Sequence, residues 1–166
     1  MTRYAALPDF IRKDLTRIVP SRNGELTYYP CRVTLKSGEN LDTVYIEPEK
    51  PYLSAWGVFP ENDKAKKWVR IEDVAEVADS PVRLPASFAD EIYRQGESGM
   101  GYTIFTVVFA DGSRQPCVTG NAVDFIRYPA GKGPTDVIDV HPHEGRDAEP
   151  VRAPEWHWCL YSEEVE

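Results

Sequence analysis

Tyr102-Thr103-Ile104-Phe105-Thr106-Val107-Val108-Phe109-Ala110-Asp111-Gly112 is the most apolar run of the chain, and it ends in a turn dipeptide. β-Branched and aromatic residues fill it, and its length suits a strand rather than a membrane span. Ile104 and Val108 point one way, and Phe105, Val107 and Phe109 the other. Both faces are apolar, so the strand belongs in the middle of a sheet. Asp111-Gly112 suits a tight hairpin turn, which predicts that residues 114–118 return antiparallel.

Outward from this hairpin, residues 123–128 and 137–140 read as further strands. A polar stretch over 144–154 separates them from a last strand at 156–161 and an acidic tail. Upstream, Ser87 and Asp90 are spaced as a capping box, and Phe88 and Ile92 lie four apart, which predicts a short helix ending at Gly96. Gly96-Glu97-Ser98-Gly99-Met100-Gly101 then leads into the central strand.

The N-terminal portion repeats the theme. Tyr29, Cys31, Val33 and Leu35 alternate with polar neighbours, Ser37-Gly38 turns the chain, and residues 41–46 return. The aromatic stretch 52–59 reads as a strand, 61–67 as a charged loop, and 68–71 and 74–77 as two strands or as one strand with a bend. Residues 8–18 read as a short helix, with Pro8 near its first turn and Phe10, Ile11, Leu15 and Ile18 on one face. A turn follows at Asn23-Gly24.

The expected fold is therefore mainly β, a β-rich α+β protein. Two similar small antiparallel β-barrel or sheet halves, residues 1–80 and 102–166, are joined by a short central helix and Gly-rich connector over 81–101. A single α+β sheet with the helix across one face is the alternative.

The similarity of the halves rests on order. Each has a strand, a small-residue turn, a return strand, an aromatic strand and then D-V-x-x-V, at Asp73–Val77 and at Asp136–Val140. The spacing differs: from Gly38 to Asp73 is 73−38=35 positions, and from Gly112 to Asp136 is 136−112=24. Hairpins are common in any β-rich chain, and D-V-x-x-V is a permissive pattern. In strand layout each half resembles a small SH3-like or Sm-like barrel. No motif extends that resemblance, because the first hairpin lacks the Asp and Asn of RNA-binding Sm proteins.

Composition narrows the function. Hydrophobic residues make up 42% of 166, enough for a packed core. The net charge of -8 disfavours nucleic acid, which is gripped through Lys and Arg, and suits solubility or capture of a basic protein. Cys31, Cys117 and Cys159 are odd in number and lack zinc-knuckle spacing, so free thiols in a reducing, cytoplasmic setting are expected. The first nine residues lack an apolar signal region, and no stretch is long enough to span a membrane.

Two candidate sites stand out. The Gly-rich loop offers Glu97, Ser98, Met100 and Tyr102 as ligand- or partner-binding residues. It departs from a hydrolase G-x-S-x-G elbow, because Met100 stands where that pattern needs Gly and the loop runs helix to strand. It also follows a helix C-terminus, which opposes an anion. The second candidate is Asp139, His141 and His143, spaced i, i+2, i+4 with Glu144 adjacent, a donor set suited to a divalent metal on an edge strand. The expected function is a non-enzymatic cytoplasmic binding protein with no cofactor, whose partner presents a basic surface. The alternative is a metal-dependent hydrolase built on the histidine strand.

Overall fold

A computed structural model describes residues 3–163. In chain order the elements are α1 (Asp9–Leu15), β1 (Ser21–Asn23), β2 (Leu26–Leu35), β3 (Asn40–Pro48), α2 (Glu49–Trp56), β4 (Lys67–Arg70), β5 (Val74–Ala78), α3 (Ala86–Gln95), β6 (Thr103–Phe109), β7 (Arg114–Thr119), β8 (Val137–Pro142), β9 (Val151–Arg152) and β10 (His157–Tyr161). Among the described residues the chain is β-rich, with two sheets and three α-helices, and neither sheet closes into a barrel. No helix among them is long and apolar enough to cross a membrane. The last residues of the acidic tail, 164–166, lie outside the described residues.

Two compact units divide the described chain. One comprises 3–20, 26–80 and 155–163, the other 21–25 and 81–154.

In the first unit, β2 pairs antiparallel with both β3 and β5. Strand β10 lies parallel between β3 and β4, a pairing open to a segment that arrives from far along the chain. The sheets are thus mixed rather than antiparallel throughout. One face of this sheet packs on α1, where Ile11 and Leu15 join Cys31, Val33, Val44, Ile46, Val74, Val77 and Cys159 in one buried cluster. Each buried Val, Leu or Ile among them contributes about 1.5–3 kcal/mol of apolar burial.

The opposite face is aromatic. Trp158 stacks on Tyr45 at 5.0 Å between ring centroids, and Tyr28, Tyr52 and Trp56 approach its ring at 5.9, 4.9 and 5.7 Å. The last two come from α2, which corrects the strand expected over 52–59. Pro48 fixes an extended residue before the first turn, and Gly57 ends the helix at φ 77. Tyr52 and Trp56 are four apart, so a helix sends both rings to one side.

In the second unit the sheet order is β8-β6-β7-β9. Strand β6 is interior and almost wholly buried, as its two apolar faces require. Strand β8, which ends at Pro142, is at the edge, where a missing N–H costs least. Two details correct the sequence reading. Residues 123–128 form no ladder. They make an isolated antiparallel bridge, Phe125 opposite Arg83, with Leu84 N–H donating to Asp124 O and Ile126 N–H to Val82 O. And α3 begins after Pro85 rather than at a Ser87 cap, while Asp90 accepts the N–H of Arg22 at 2.7 Å.

Candidate functional site: the 96–102 loop and its brace

Helix α3 stops at Gly96, whose φ of 77 is open to a residue without Cβ. The chain then folds back on itself. Ser98 N–H and Gly99 N–H both donate to Tyr102 O, at 3.0 and 3.3 Å, and Tyr102 N–H returns to Gly99 O. Glu97 accepts the N–H of Gly101 at 2.9 Å. Gly99 lies against the Tyr102 ring, where any Cβ would collide. Met100, at the tip, is 100% exposed.

A second segment braces this turn. Beyond Pro142 the backbone leaves β8, and His143 takes φ 65, a left-handed conformation that costs a Cβ-bearing residue free energy. Its N–H donates to Ile104 O at 2.7 Å. Its Nε2 lies 3.1 Å from Gln95 O. A carbonyl only accepts, so Nε2 carries the hydrogen, and in the neutral ring Nδ1 accepts from Ser98 Oγ at 2.7 Å. Ser98 Oγ in turn accepts the N–H of Ile104 at 2.8 Å. Arg146 adds a cationic clamp, with Nη1 donating to Tyr102 OH at 2.8 Å and Nη2 to Ser98 O at 3.3 Å. Its guanidinium also sits over the Tyr102 ring.

The two candidate sites thus meet in part. His143 joins Ser98, while Asp139 and His141 do not. His141 lies between Asp139 Oδ2 at 3.2 Å from Nε2 and Glu144 Oε2 at 2.9 Å from Nδ1, and Glu144 also receives Arg114 at 3.0 Å. The i, i+2, i+4 spacing requires a continuous strand, and the turn at His143 ends it. Among the described residues no group of three or more His, Cys, Asp or Glu is placed to hold a metal. At Ser98 the hydroxyl oxygen is engaged by Ile104, and the N–H groups of Ser98, Gly99 and Gly101 are all paired. That is the bonding of a locked turn rather than of a nucleophile beside free oxyanion donors.

Beneath the loop lies a cavity of about 120 Å³ lined by Ile92, Tyr93, Glu97, Thr103 and Asn121 among others. Tyr93 links it to a buried polar network. Its hydroxyl donates to Asp124 Oδ2 at 2.5 Å and accepts the N–H of Val123 at 3.0 Å. Ser21 Oγ donates to Asp124 Oδ1 and accepts from Arg83 Nη2 at 3.1 Å. Sequence reading missed this network, although one carboxylate inside Ala122-Val123-Asp124-Phe125-Ile126 was a signal. Arg146, in a polar stretch, gave none.

The first unit has its own cavity, of about 350 Å³, lined by Arg3, Tyr4, Glu61, Trp68, Arg70 and Glu72. Tyr4 OH donates to Glu61 at 2.7 Å, and burial together with that carboxylate pushes the phenol pKa well up.

No protein-family model, curated protein or solved structure matches this chain.

Proposed function

We propose that this chain is a non-enzymatic cytoplasmic binding protein that engages a protein partner through its 96–102 loop. The carrying observation is Met100, 100% exposed on a turn whose flanking residues are held by Tyr102 O, Glu97, His143 and Arg146. A flexible apolar side chain on a fixed backbone offers adaptable contact area without the entropy of ordering a loop. Three buried, unbridged cysteines support a reducing compartment, and the charge of -8 supports a partner with a basic surface.

We further infer that the two units are built on one plan. Leu7-Pro8 precedes α1, and Leu84-Pro85 precedes α3. Lys36 N–H donates to Asp73 O and Ala110 N–H to Asp136 O, both at 2.8 Å. Val33 pairs with Val77 and Leu35 with Val74, as Val107 pairs with Val140 and Phe109 with Val137. Strand β10 lies parallel to β3, as β9 does to β7. Against that common plan, the Met100 turn is an elaboration specific to the second unit.

The test compares affinity capture by the wild type and by Met100→Asp, matched for thermal stability. A stoichiometric protein retained by the first and lost by the second supports the reading. Equal retention, or none by either, counts against it.

A further inference from the structure

Glu47 is the least expected residue on the aromatic face of the first unit. It is 0% exposed, and neither carboxyl oxygen has a hydrogen-bond partner among the described residues. Buried carboxyls are ordinarily satisfied, because leaving one unpaired costs kilocalories. Strand alternation fixes its surroundings. Glu47 is two residues from Tyr45 on β3, and β10 pairs Trp158 with Tyr45 and Leu160 with Glu47, so all four share a face. The ring nitrogens of Trp56 and Trp158 are likewise buried without an acceptor.

Opposite them the chain places a cation of its own. Lys66 Nζ lies 3.5 Å from the centroid of the Trp56 ring and 5.3 Å from that of Tyr52, and donates to Tyr52 OH at 3.1 Å. Asp63 stands 3.7 Å from it. An ammonium over the π faces of Trp and Tyr, backed by carboxylates, is the arrangement that recognises alkylammonium groups. Trp56 is half-buried, so the outer wall of the cluster reaches solvent, whereas Glu47 and Trp158 form its floor.

We propose that Glu47, Tyr52, Trp56 and Trp158 form a binding site for an organic ammonium group, with Lys66 as the chain's own competing occupant. Desolvation pushes the Glu47 carboxyl up to about 8 and the Lys66 ammonium works against that shift, so a cation bound beside Glu47 would favour its ionised form. The aromatic walls favour a methylated or otherwise weakly hydrated ammonium over a small metal ion, which holds its water tightly. The site is independent of the Met100 loop.

The experiment titrates tetramethylammonium at constant ionic strength into the wild type, Lys66→Ala, and Lys66→Ala with Glu47→Gln. Tryptophan fluorescence and the ligand methyl resonance report binding. Removing the competing lysine is expected to tighten binding about ten-fold over the wild type, and adding Glu47→Gln to reverse that gain. A parallel arm uses a short peptide carrying trimethyl-lysine. Tighter binding of the peptide assigns the site to a lysine of a protein partner, and equal binding to a free amine. Lys66→Met, which keeps the packing of the lysine stem, carries the same test should the alanine variant not fold. Titrations without saturation for the wild type and the Lys66 variants, up to hundreds of millimolar, would overturn the proposal. So would binding indifferent to Glu47→Gln.

Discussion

Ser98 Oγ lies 2.7 Å from His143 Nδ1, joining the Gly-rich loop to the turn that follows β8. The bond carries weight on both sides. Ser98 also receives Ile104 N–H, and His143 also reaches Gln95 O at the end of α3. Two segments separated by 45 residues are thereby held in one arrangement.

Ser98→Ala is expected to destabilise the protein by about 1–3 kcal/mol, since it leaves Ile104 N–H without its acceptor and His143 without its donor. Urea midpoints for Ser98→Ala, His143→Ala and the double variant should show coupling, with the double change costing less than the sum. Strict additivity would mean that the two side chains do not work as a unit.

His143 also separates backbone strain from side-chain bonding. His143→Ala loses the ring and keeps the left-handed φ of 65, whereas His143→Gly loses the ring and relieves the strain. The glycine variant should therefore be the more stable by about 1 kcal/mol. Equal midpoints for the two would contradict a strained His143.

The Asp124 network makes a second stability prediction. Tyr93→Phe removes the donor to Asp124 Oδ2 and the acceptor of Val123 N–H in one change. A loss of about 2–4 kcal/mol is expected, because both partners are buried. Thermal unfolding measures it, and a change below about 0.5 kcal/mol, typical of surface substitutions, would show that the network does not stabilise the fold.

Much of this architecture was legible in the sequence, and the failures have physical causes. The central strand, its Asp111-Gly112 hairpin and the edge placement of β8 follow from alternation, turn chemistry and Pro142, all local signals. Residues 52–59 misled because aromatic content resembles strand propensity, while the deciding residues are Pro48, upstream of the stretch, and Gly57, which ends the helix within it. Residues 123–128 misled because their burial comes from extended pairing to the segment before α3, a tertiary effect. At the candidate site, Ser98 and His143 were each recognisable by type. That they touch was not, because the contact depends on where β8 ends and on a left-handed residue that no pattern announces.

Glu47 gives the pH dependence its sign. Its carboxyl is raised from an ordinary 4.5 to about 8 by burial, so between those values the native state binds more protons than the unfolded chain. Stability should fall as pH rises through that window, by on the order of a few kcal/mol, and level off above it. Denaturation midpoints from pH 4.5 to pH 9 for the wild type and Glu47→Gln test this. The glutamine variant should lose that component of the slope, and parallel curves would show that Glu47 ionises normally.

Whether the 96–102 loop binds a partner is decided by capture with the wild type and with Met100→Asp. Met100 is fully exposed, so the substitution should leave thermal stability within about 0.5 kcal/mol of the wild type. A stoichiometric protein partner should be held by the wild type and released by the variant. Retention unchanged by the substitution, or no partner for either form, would contradict it.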